Sequence, residues 1–426
     1  MASQTVQYFA AVIFALALVH TFSTKYFEHL AHTIPRHAGI FHLLGEVEVV
    51  FGFWAIVLAL AIAVVDGGQS SLQYLESRQY TEPLFVFVVM VVAASRPVLL
   101  FIQHLIRGLA RLLPVPSELA QVWLCLAALP LLGSYITEPA AMTVAALALA
   151  PILFEKPLPE WKKYAALGTL FVNISIGGTL TSFAAPPVLM VAGAWGWDSA
   201  FMLKTFGWKA ATAVLFNASI LVAVLGRNLG NAKATQVPPP SASDAAAIPT
   251  VPLMVTLIHL GFLAAVVLTA HHPVVFIGLF LLFMGFVQAY KQHQSPLILK
   301  EALLVGFFLA GLVVLGGLQQ WWLQPIVSQL SPQALFFGTL GLTGITDNAA
   351  LTYLGSLIDG LSDLAKYMLV AGAVAGGGLT VIANAPNPAG VALLKHGFKD
   401  EAIGAVGLLA GAALPTLMAA CAFLLL

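Results

Sequence analysis

Long apolar stretches alternate with short polar breaks along almost the whole chain. A helix of about 20 apolar residues spans the hydrocarbon core of a bilayer. The pattern predicts ten spans: Val6–Phe22, Gly39–Val65, Pro83–Gln103, Lys163–Trp195, Ala200–Leu225, Val251–Ala270, Pro273–Tyr290, Ala302–Gly317, Ala365–Leu394 and Ala402–Leu426. We therefore predict an all-α polytopic membrane protein whose first apolar segment is retained as a helix.

Two further apolar regions do not fit a single crossing. Ser117 to Phe154 is interrupted at Ser134–Glu138, and Gln324 to Ile358 is interrupted at Thr343–Asn348. Each arm has only about 15 residues and reaches roughly 22 Å, which is short of the hydrocarbon thickness. We predict two re-entrant hairpins, because irregular backbone at that depth is tolerated only against protein or a water-filled cavity.

A polar segment near the middle of the chain contains Pro238-Pro239-Pro240 followed by Ser241. Such a composition favours a flexible connector over a packed element. The predicted organisation is a first half over residues 1–226, a cytoplasmic linker over 227–250 and a second half over 251–426.

Composition supports a membrane protein and excludes several other classes. Apolar residues make up 60% of the chain, only 8% is charged, and the formal net charge is zero, so nothing indicates nucleic-acid binding. Cys125 and Cys421 lie in apolar segments and predict neither a disulfide framework nor a metal site. No phosphate-binding Gly-Lys-Ser motif is present, so we expect no enzyme activity and no cofactor.

The two hairpin tips resemble each other, and so do two segments downstream. Ile136-Thr137-Glu138-Pro139-Ala140-Ala141-Met142-Thr143 aligns with Ile345-Thr346-Asp347-Asn348-Ala349-Ala350-Leu351-Thr352. Gly177-Gly178-Thr179-Leu180-Thr181 aligns with Gly376-Gly377-Gly378-Leu379-Thr380. Both pairs occur in the same order, which predicts an internal repeat of five spans and one hairpin per half. An odd number of crossings makes the second copy inverted, the arrangement typical of secondary transporters.

The distribution of basic residues predicts the orientation of the repeat. If the N- and C-termini lie outside the cell, 13 of the 18 lysines and arginines face the cytoplasm, as the positive-inside rule requires. The cytoplasmic set is Lys25, Arg36, Arg107, Arg111, Lys156, Lys162, Lys163, Arg227, Lys233, Lys291, Lys300, Lys395 and Lys399. We therefore expect a multi-pass protein of the inner (plasma) membrane.

The acidic tip residues Glu138 and Asp347 are the first candidates for a functional site. A carboxylate near the bilayer centre costs about 2.5–3.5 kcal/mol, so its presence calls for an explanation. One interpretation is a helix N-cap stabilised by the helix dipole. The other is that these acids bind a cation or a proton, together with neutral oxygens, which hard cations prefer. Those oxygens would come from Thr137, Thr143, Thr346, Asn348 and Thr352.

The glycine-rich segments downstream predict two broken helices. Gly177-Gly178 and Gly376-Gly377-Gly378 are weak helix formers, while Pro186-Pro187 and Pro386 prevent continuous helical hydrogen bonding. Small residues in a packing kink are the alternative. Two such breaks, each after an acidic tip, favour a binding site to which Gly178, Thr179, Thr181, Gly377, Thr380, Asn384 and Asn387 contribute.

Three charged residues outside the tips are candidates for a proton relay. Glu46 and Glu48 open the second span and point to different faces of its helix. An interfacial position is the alternative interpretation for both. Arg96, in the third span, is typical of a cation that extends to the membrane surface.

These motifs carry a resemblance to the ion transporter superfamily, which includes arsenite permeases, sodium/proton antiporters and divalent anion/sodium symporters. The chain resembles its sodium/proton antiporter branch over most of its length. Thr346-Asp347-Asn348 with Thr352 is similar to the Asp-Asn-x-x-x-Thr tip of proton-coupled sodium antiporters. Asn173 and the segment from Gly177 to Pro187 are similar to a family segment in which asparagine follows two prolines; here Val188 stands in that place.

The resemblance implies an elevator-type transporter, usually a homodimer. Our hypothesis is that it exchanges Na⁺ for H⁺, with Glu138 and Asp347 binding ion and proton in competition. The symporter branch carries Ser-Asn-Thr at both tips, and the acids found here disfavour an anionic substrate. An anion, carboxylate or arsenite-type permease is the first alternative function. A non-transporting membrane scaffold is the second.

Overall fold

The computed structural model describes residues 3–229 and 250–426, in which all regular structure is helical. The α-helices of the first half are α1 (Gln4–Thr33), α2 (Ala38–Gly45), α3 (Val47–Val65), α4 (Gly68–Glu76), α5 (Thr81–Ala93), α6 (Arg96–Leu112), α7 (Ser117–Leu126), α8 (Ala128–Ile136), α9 (Glu138–Leu149), α10 (Glu160–Gly177), α11 (Pro186–Trp195), α12 (Ser199–Met202) and α13 (Trp208–Leu229). Those of the second half are α14 (Leu253–Leu268), α15 (Pro273–Ala289), α16 (Leu299–Gly316), α17 (Gln320–Val327), α18 (Pro332–Thr343), α19 (Asn348–Ser356), α20 (Asp363–Gly376), α21 (Asn387–Leu394) and α22 (Ala405–Leu425). The predicted all-helical class is confirmed.

Several helices are long and apolar enough to cross a membrane. Among the described residues five qualify on their own, and seven do if each of two bent helix pairs counts as one span. The five spans are Gln4–Thr21, Glu48–Val65, Ser199–Gly226, Leu299–Gly316 and Ala405–Leu425. The chain is therefore a multi-pass membrane protein.

The third predicted span, Pro83–Gln103, is not one continuous helix, and the prediction is wrong there. The axes of α5 and α6 differ by 65°. Pro97 has no N–H to donate to the carbonyl of Ala93, and the loss of this hydrogen bond favours a bend here. The Ser95 hydroxyl donates to the carbonyl of Val92 at 2.7 Å and closes the end of α5. Arg96 consequently opens α6 at the bend instead of lying inside a straight span.

The second predicted span, Gly39–Val65, is also divided, because Glu46 adopts extended backbone between α2 and α3. In a continuous helix the carbonyl of Leu44 would accept a bond from residue 48. Here it bonds to Nε2 of His20 at 3.0 Å. The indole of Trp54 donates to Nδ1 of the same ring at 3.0 Å, so Nε2 is the ring nitrogen that donates to Leu44. A histidine on α1 thus takes the place of the missing helical hydrogen bond.

Both predicted hairpins turn at the predicted tips. In the first, α7 and α8 form a pair bent by 43°, and the chain then turns at Thr137 so that α9 packs against α8. In the second, α18 and α19 are joined by residues 344–347. The arms α18 and α19 have 12 and nine residues, fewer than a bilayer crossing needs, whereas α7 and α8 together are apolar enough for one bent span. The re-entrant course of both hairpins stays a prediction.

Both predicted helix breaks are present as well. α10 ends at Gly177 and α11 begins at Pro186, and α20 ends at Gly376 while α21 begins at Asn387. The order of hairpin and then broken helix therefore recurs in each half. The inverted relation between the halves stays a prediction.

The helices group into two bundles. The hairpin bundle consists of α7–α11, α13 and α18–α22, and the flanking bundle consists of α1–α5 and α14–α16. The two meet where α5 packs against α9 and α11 and where α16 packs against α19, while α6 bridges from α14 to α7 and α9.

α13 continues to Leu229, past the predicted end of the first half, and residues 230–249 of the predicted linker lie outside the described residues.

Candidate ion-binding site between the hairpin tips and the broken helices

The first hairpin tip buries Glu138 completely. Thr137 has φ 77° and ψ 149°, a conformation that β-branched residues rarely adopt, and this turn directs the next residue into the protein. Glu138 is the first residue of α9 and is 0% exposed. Its Oε2 accepts a hydrogen bond from Nδ2 of Asn384 at 2.8 Å, whereas Oε1 has no partner. A Cβ at Gly178 would overlap Oε1, so only glycine lets the first helix break approach this acid.

Ser134, at the end of the first arm, holds the first helix break against the hairpin. Its hydroxyl donates to the carbonyl of Gly177 at 2.7 Å and accepts from the amide of Leu180 at 2.9 Å. Thr181 donates to the carbonyl of Ser134 at 2.6 Å. Sequence analysis missed Ser134, because a lone serine in an apolar arm gives no signal of its own.

The second tip places its acid differently. Asp347 is the N-cap of α19, and its Oδ1 accepts from the amides of Ala349 at 2.8 Å and Ala350 at 3.3 Å. The side chain that is fully buried at this tip is the following residue, Asn348. The backbone amide of Asn348 donates to the carbonyl of Ala383 at 3.1 Å.

The side-chain amide of Asn348 donates to Oγ of Ser175 on α10 at 3.4 Å. A Cβ at Gly377 would overlap both of these groups, so the second break approaches the second tip as closely as the first approaches Glu138. Nδ2 of Asn387 donates to the carbonyls of Gly377 at 2.8 Å and Thr380 at 2.9 Å and so holds the second break open.

Buried oxygen atoms without a partner are concentrated at the tips and breaks. Buried polar groups in proteins are normally hydrogen-bonded, so such atoms call for an explanation. Of the ten buried side-chain nitrogen and oxygen atoms that lack a partner in the described residues, seven lie on these segments and all seven are oxygens. They are Thr137 Oγ1, Glu138 Oε1, Thr343 Oγ1, Asn348 Oδ1, Thr380 Oγ1, Asn384 Oδ1 and Asn387 Oδ1, and we call this set the oxygen cluster. A dehydrated cation would supply the missing partner.

One hydrogen bond across the two halves links two residues of this set directly. The bond between Asn384 and Glu138 links the second break to the first tip. Glu138 and Asp347 lie within electrostatic range of each other. None of the ion pairs in the described part of the chain involves either acid. The cluster therefore contains one fully buried acid, with a second acid close to it. Thr343 was not predicted from the sequence.

Several predicted ligands use their polar atoms within the protein. The hydroxyls of Thr143, Thr179 and Thr352 donate to helix carbonyls three or four residues earlier. Thr346 is half-buried beside the second tip.

The predicted ligand Asn173 packs helices together. Its Nδ2 donates to the carbonyls of Leu126 at 2.7 Å and Val214 at 3.3 Å, while its Oδ1 accepts from Asn217 at 2.9 Å. The structure thus gives it a helix-packing environment away from the oxygen cluster.

The candidate relay residues lie outside the oxygen cluster. Glu46, at the helix break, pairs with Lys300 at 3.5 Å. Glu48, in the first turn of α3, is half-buried and lies within electrostatic range of Glu46 and of Asp347. Arg96 is half-buried at the bend between α5 and α6. A role in proton transfer stays a prediction for all three.

Comparison with known proteins identifies a family. No curated protein matches the chain. Over residues 5–426 the chain matches the family described as "Putative Na+/H+ antiporter", and it belongs to that family.

Proposed function

We propose that the chain is a secondary transporter that exchanges Na⁺ for protons at the oxygen cluster. Membership of an antiporter family and a helical membrane fold support this function. The observation that carries the proposal is the burial of Glu138, with one unpartnered carboxylate oxygen, among unpartnered neutral oxygens.

The charge of the cluster favours a monovalent cation. A single fully buried carboxylate balances one positive charge, and amide and hydroxyl oxygens complete the shell that a hard cation prefers. An anionic substrate would instead face Glu138 and Asp347 and would find carbonyl and carboxylate oxygens where it needs donors. The arrangement therefore disfavours the anion, carboxylate and arsenite-type alternatives.

Competition at one acid couples the two fluxes. Glu138 binds the cation in its ionised form, because the negative charge is then paired with a positive one. Without the cation, burial of an unpaired charge is unfavourable, so the empty site carries a proton. A site that alternates between these two occupied states exchanges cation for proton and cannot return empty and charged.

Alternating access follows if the hairpin bundle moves against the flanking bundle. All residues of the oxygen cluster belong to the hairpin bundle or to the segments that join its helices. The contacts between the bundles run through a few helices, with α5 and α16 prominent among them. This division suits an elevator motion in which the site moves as a unit. The homodimer and the inverted repeat are predictions that accompany this mechanism.

The test is transport by the purified protein in proteoliposomes that enclose a pH-sensitive dye. Addition of Na⁺ outside should raise the internal pH, because entering Na⁺ is exchanged for protons. The same assay is then repeated with Li⁺, K⁺ or Ca²⁺ in place of Na⁺, and with a panel of organic and inorganic anions that includes arsenite. Glu138→Gln keeps the size of the side chain and removes the ionisable group, and its signal should fall to that of vesicles without protein.

Glu76→Gln is the matched control, since Glu76 is an exposed acid on α4 outside the cluster. It should keep the wild-type rate. A wild-type protein that responds to an anion and to no cation would establish the permease alternative. A protein that responds to neither would support the scaffold alternative.

A further inference from the structure

The two acids that the sequence aligns do not occupy equivalent places in the structure. Glu138 aligns with Asp347 in the sequence, but Glu138 is the first residue of α9 whereas Asp347 is the cap that precedes α19. Counted from the helix start, Thr137 corresponds to Asp347 and Glu138 to Asn348. The carbonyls of both cap residues accept the first helical bond, from Ala141 at 3.0 Å and from Leu351 at 3.4 Å.

We infer that Glu138 alone binds the exchanged proton and cation, that Asp347 is a positioning residue for the second tip, and that one proton is exchanged per monovalent cation. This inference rests on the proposed function, and it differs from the expectation that both acids take part in the competition.

The surroundings of Asp347 fit a positioning role. Its Oδ1 satisfies two amides of the first turn of α19, which have no partner within the helix. The positive end of the helix dipole favours the ionised form of a carboxylate at this place. The cap also fixes the backbone that presents Asn348 to Ser175 and Ala383. These contacts favour the ionised form of Asp347, and the inference assigns it the same charge in every state of the cycle.

The surroundings of Glu138 fit a binding role. Oε2 receives one hydrogen bond, from the neutral amide of Asn384, and Oε1 receives none. The corresponding residue of the second tip, Asn348, is neutral and does not change its charge near neutral pH. The buried part of the cluster thus has one group that can gain or lose a proton.

Charge balance then sets the stoichiometry. The protonated acid is neutral, and the ionised acid with one bound monovalent cation is also neutral overall. When Asp347 keeps the same charge in both forms, the moving site carries equal charge in each direction. The exchange is therefore one cation for one proton and is electroneutral.

The first experiment counts protons in detergent solution. Na⁺ is added to the purified protein in weakly buffered solution with a pH indicator, and cation binding is followed by calorimetry. We expect about one proton released per Na⁺ bound for the wild type and for Asp347→Asn, since Asn is an N-cap as good as Asp. Glu138→Gln should release none.

The second experiment uses the same variants in proteoliposomes. Asp347→Asn should keep Na⁺-driven proton flux within about threefold of the wild type. Asp347→Ala should lose roughly fivefold or more, because it also removes the cap. Rescue by Asn relative to Ala identifies a positioning role. A membrane potential of either sign, set with K⁺ and valinomycin, should leave the initial rate unchanged.

The outcomes separate the two proposals. If Asp347→Asn abolishes proton release or flux while the wild type remains active, the assignment to Glu138 alone is wrong and antiport stands. A rate that follows the imposed potential, or two protons per cation, overturns the one-to-one exchange. A wild type that neither binds nor transports any cation removes the proposed function itself.

Discussion

The two hairpin tips share a sequence pattern and differ in how they use it. In the first tip the cap is Thr137, which makes no side-chain cap bond, and the acid Glu138 lies one residue later and is completely buried. In the second tip the acid Asp347 is the cap, and the buried residue is the neutral Asn348. A shift of one residue at the helix start therefore separates a buried acid from a capping acid. Similar sequence motifs in one chain need not adopt equivalent positions in its structure.

The largest expected effect comes from moving the buried acid to the other tip. Glu138→Gln combined with Asn348→Asp gives the second tip the buried carboxylate and makes the first tip neutral. We expect flux to return from background to roughly a tenth of the wild-type rate, a difference of about 1.4 kcal/mol for an imperfectly placed charge. Na⁺-driven alkalinisation of proteoliposomes measures it.

The single variant Asn348→Asp is the control for folding and for the added charge. If the double variant stays at background although it folds and inserts normally, the two buried positions are not interchangeable. The comparison between the tips would then hold for backbone geometry but not for ion binding.

A smaller effect is expected from closing the space beside Glu138. In Gly178→Ala the new methyl group would overlap the carboxylate, and overpacking of this kind typically costs about 1–3 kcal/mol. We expect the KM for Na⁺ to rise roughly tenfold or more, because about 1.4 kcal/mol of lost binding is a factor of ten. Initial rates over a range of Na⁺ concentrations measure it.

Gly338→Ala is matched to this change, since Gly338 lies on α18 of the same bundle with nothing near a new Cβ. Its KM should equal that of the wild type. Equal values for Gly178→Ala and the wild type would mean that the first break does not border the site.

The smallest effect concerns the backbone of the two tips. Thr137 has a positive φ that costs of order 1–3 kcal/mol for a residue with a side chain, and glycine adopts this conformation without strain. Thr137→Gly should raise the free energy of unfolding by about 1 kcal/mol once the added entropy of the unfolded chain is subtracted. Thr346, at the corresponding place in the sequence, does not have a positive φ, so Thr346→Gly should lower the free energy of unfolding by about 0.5–1 kcal/mol.

Thermal unfolding in detergent without Na⁺ measures both variants, because the lost Thr137 hydroxyl then has no ion to bind. A loss of stability in Thr137→Gly would show that this turn is not strained.

Much of the fold could be predicted because its signals are local. Apolar run lengths gave the membrane class, short arms gave the hairpins, and glycine and proline gave the two helix breaks. The bend at Ser95 was missed although Pro97 signals it, since hydropathy stays high through the bend. The break at Glu46 depends on His20, which comes from another helix and leaves no local trace.

The site could be predicted only in outline. The tip residues were singled out because acids are rare in apolar segments. The one-residue shift between the tips was not predictable. Proline is favoured at the first position of a helix, so the sequence would place Pro139 first and make Glu138 the cap. In the structure Glu138 is the first residue of α9 and Pro139 the second. Ser134 and Thr343 were seen only as the first residues of the two polar interruptions, and Ser175 lies in an apolar run that was not singled out. Their roles depend on contacts between distant parts of the chain.

Two hydrogen bonds described above join the halves, and in both the second half supplies the donor. Asn384 of the second half donates to Glu138 of the first, and Asn348 of the second half reaches Ser175 of the first. Neither half produced alone would contain the whole oxygen cluster, and the first would carry a buried acid without its amide donor. We therefore expect the two halves, synthesised as separate polypeptides, to transport only when both are present in the same membrane.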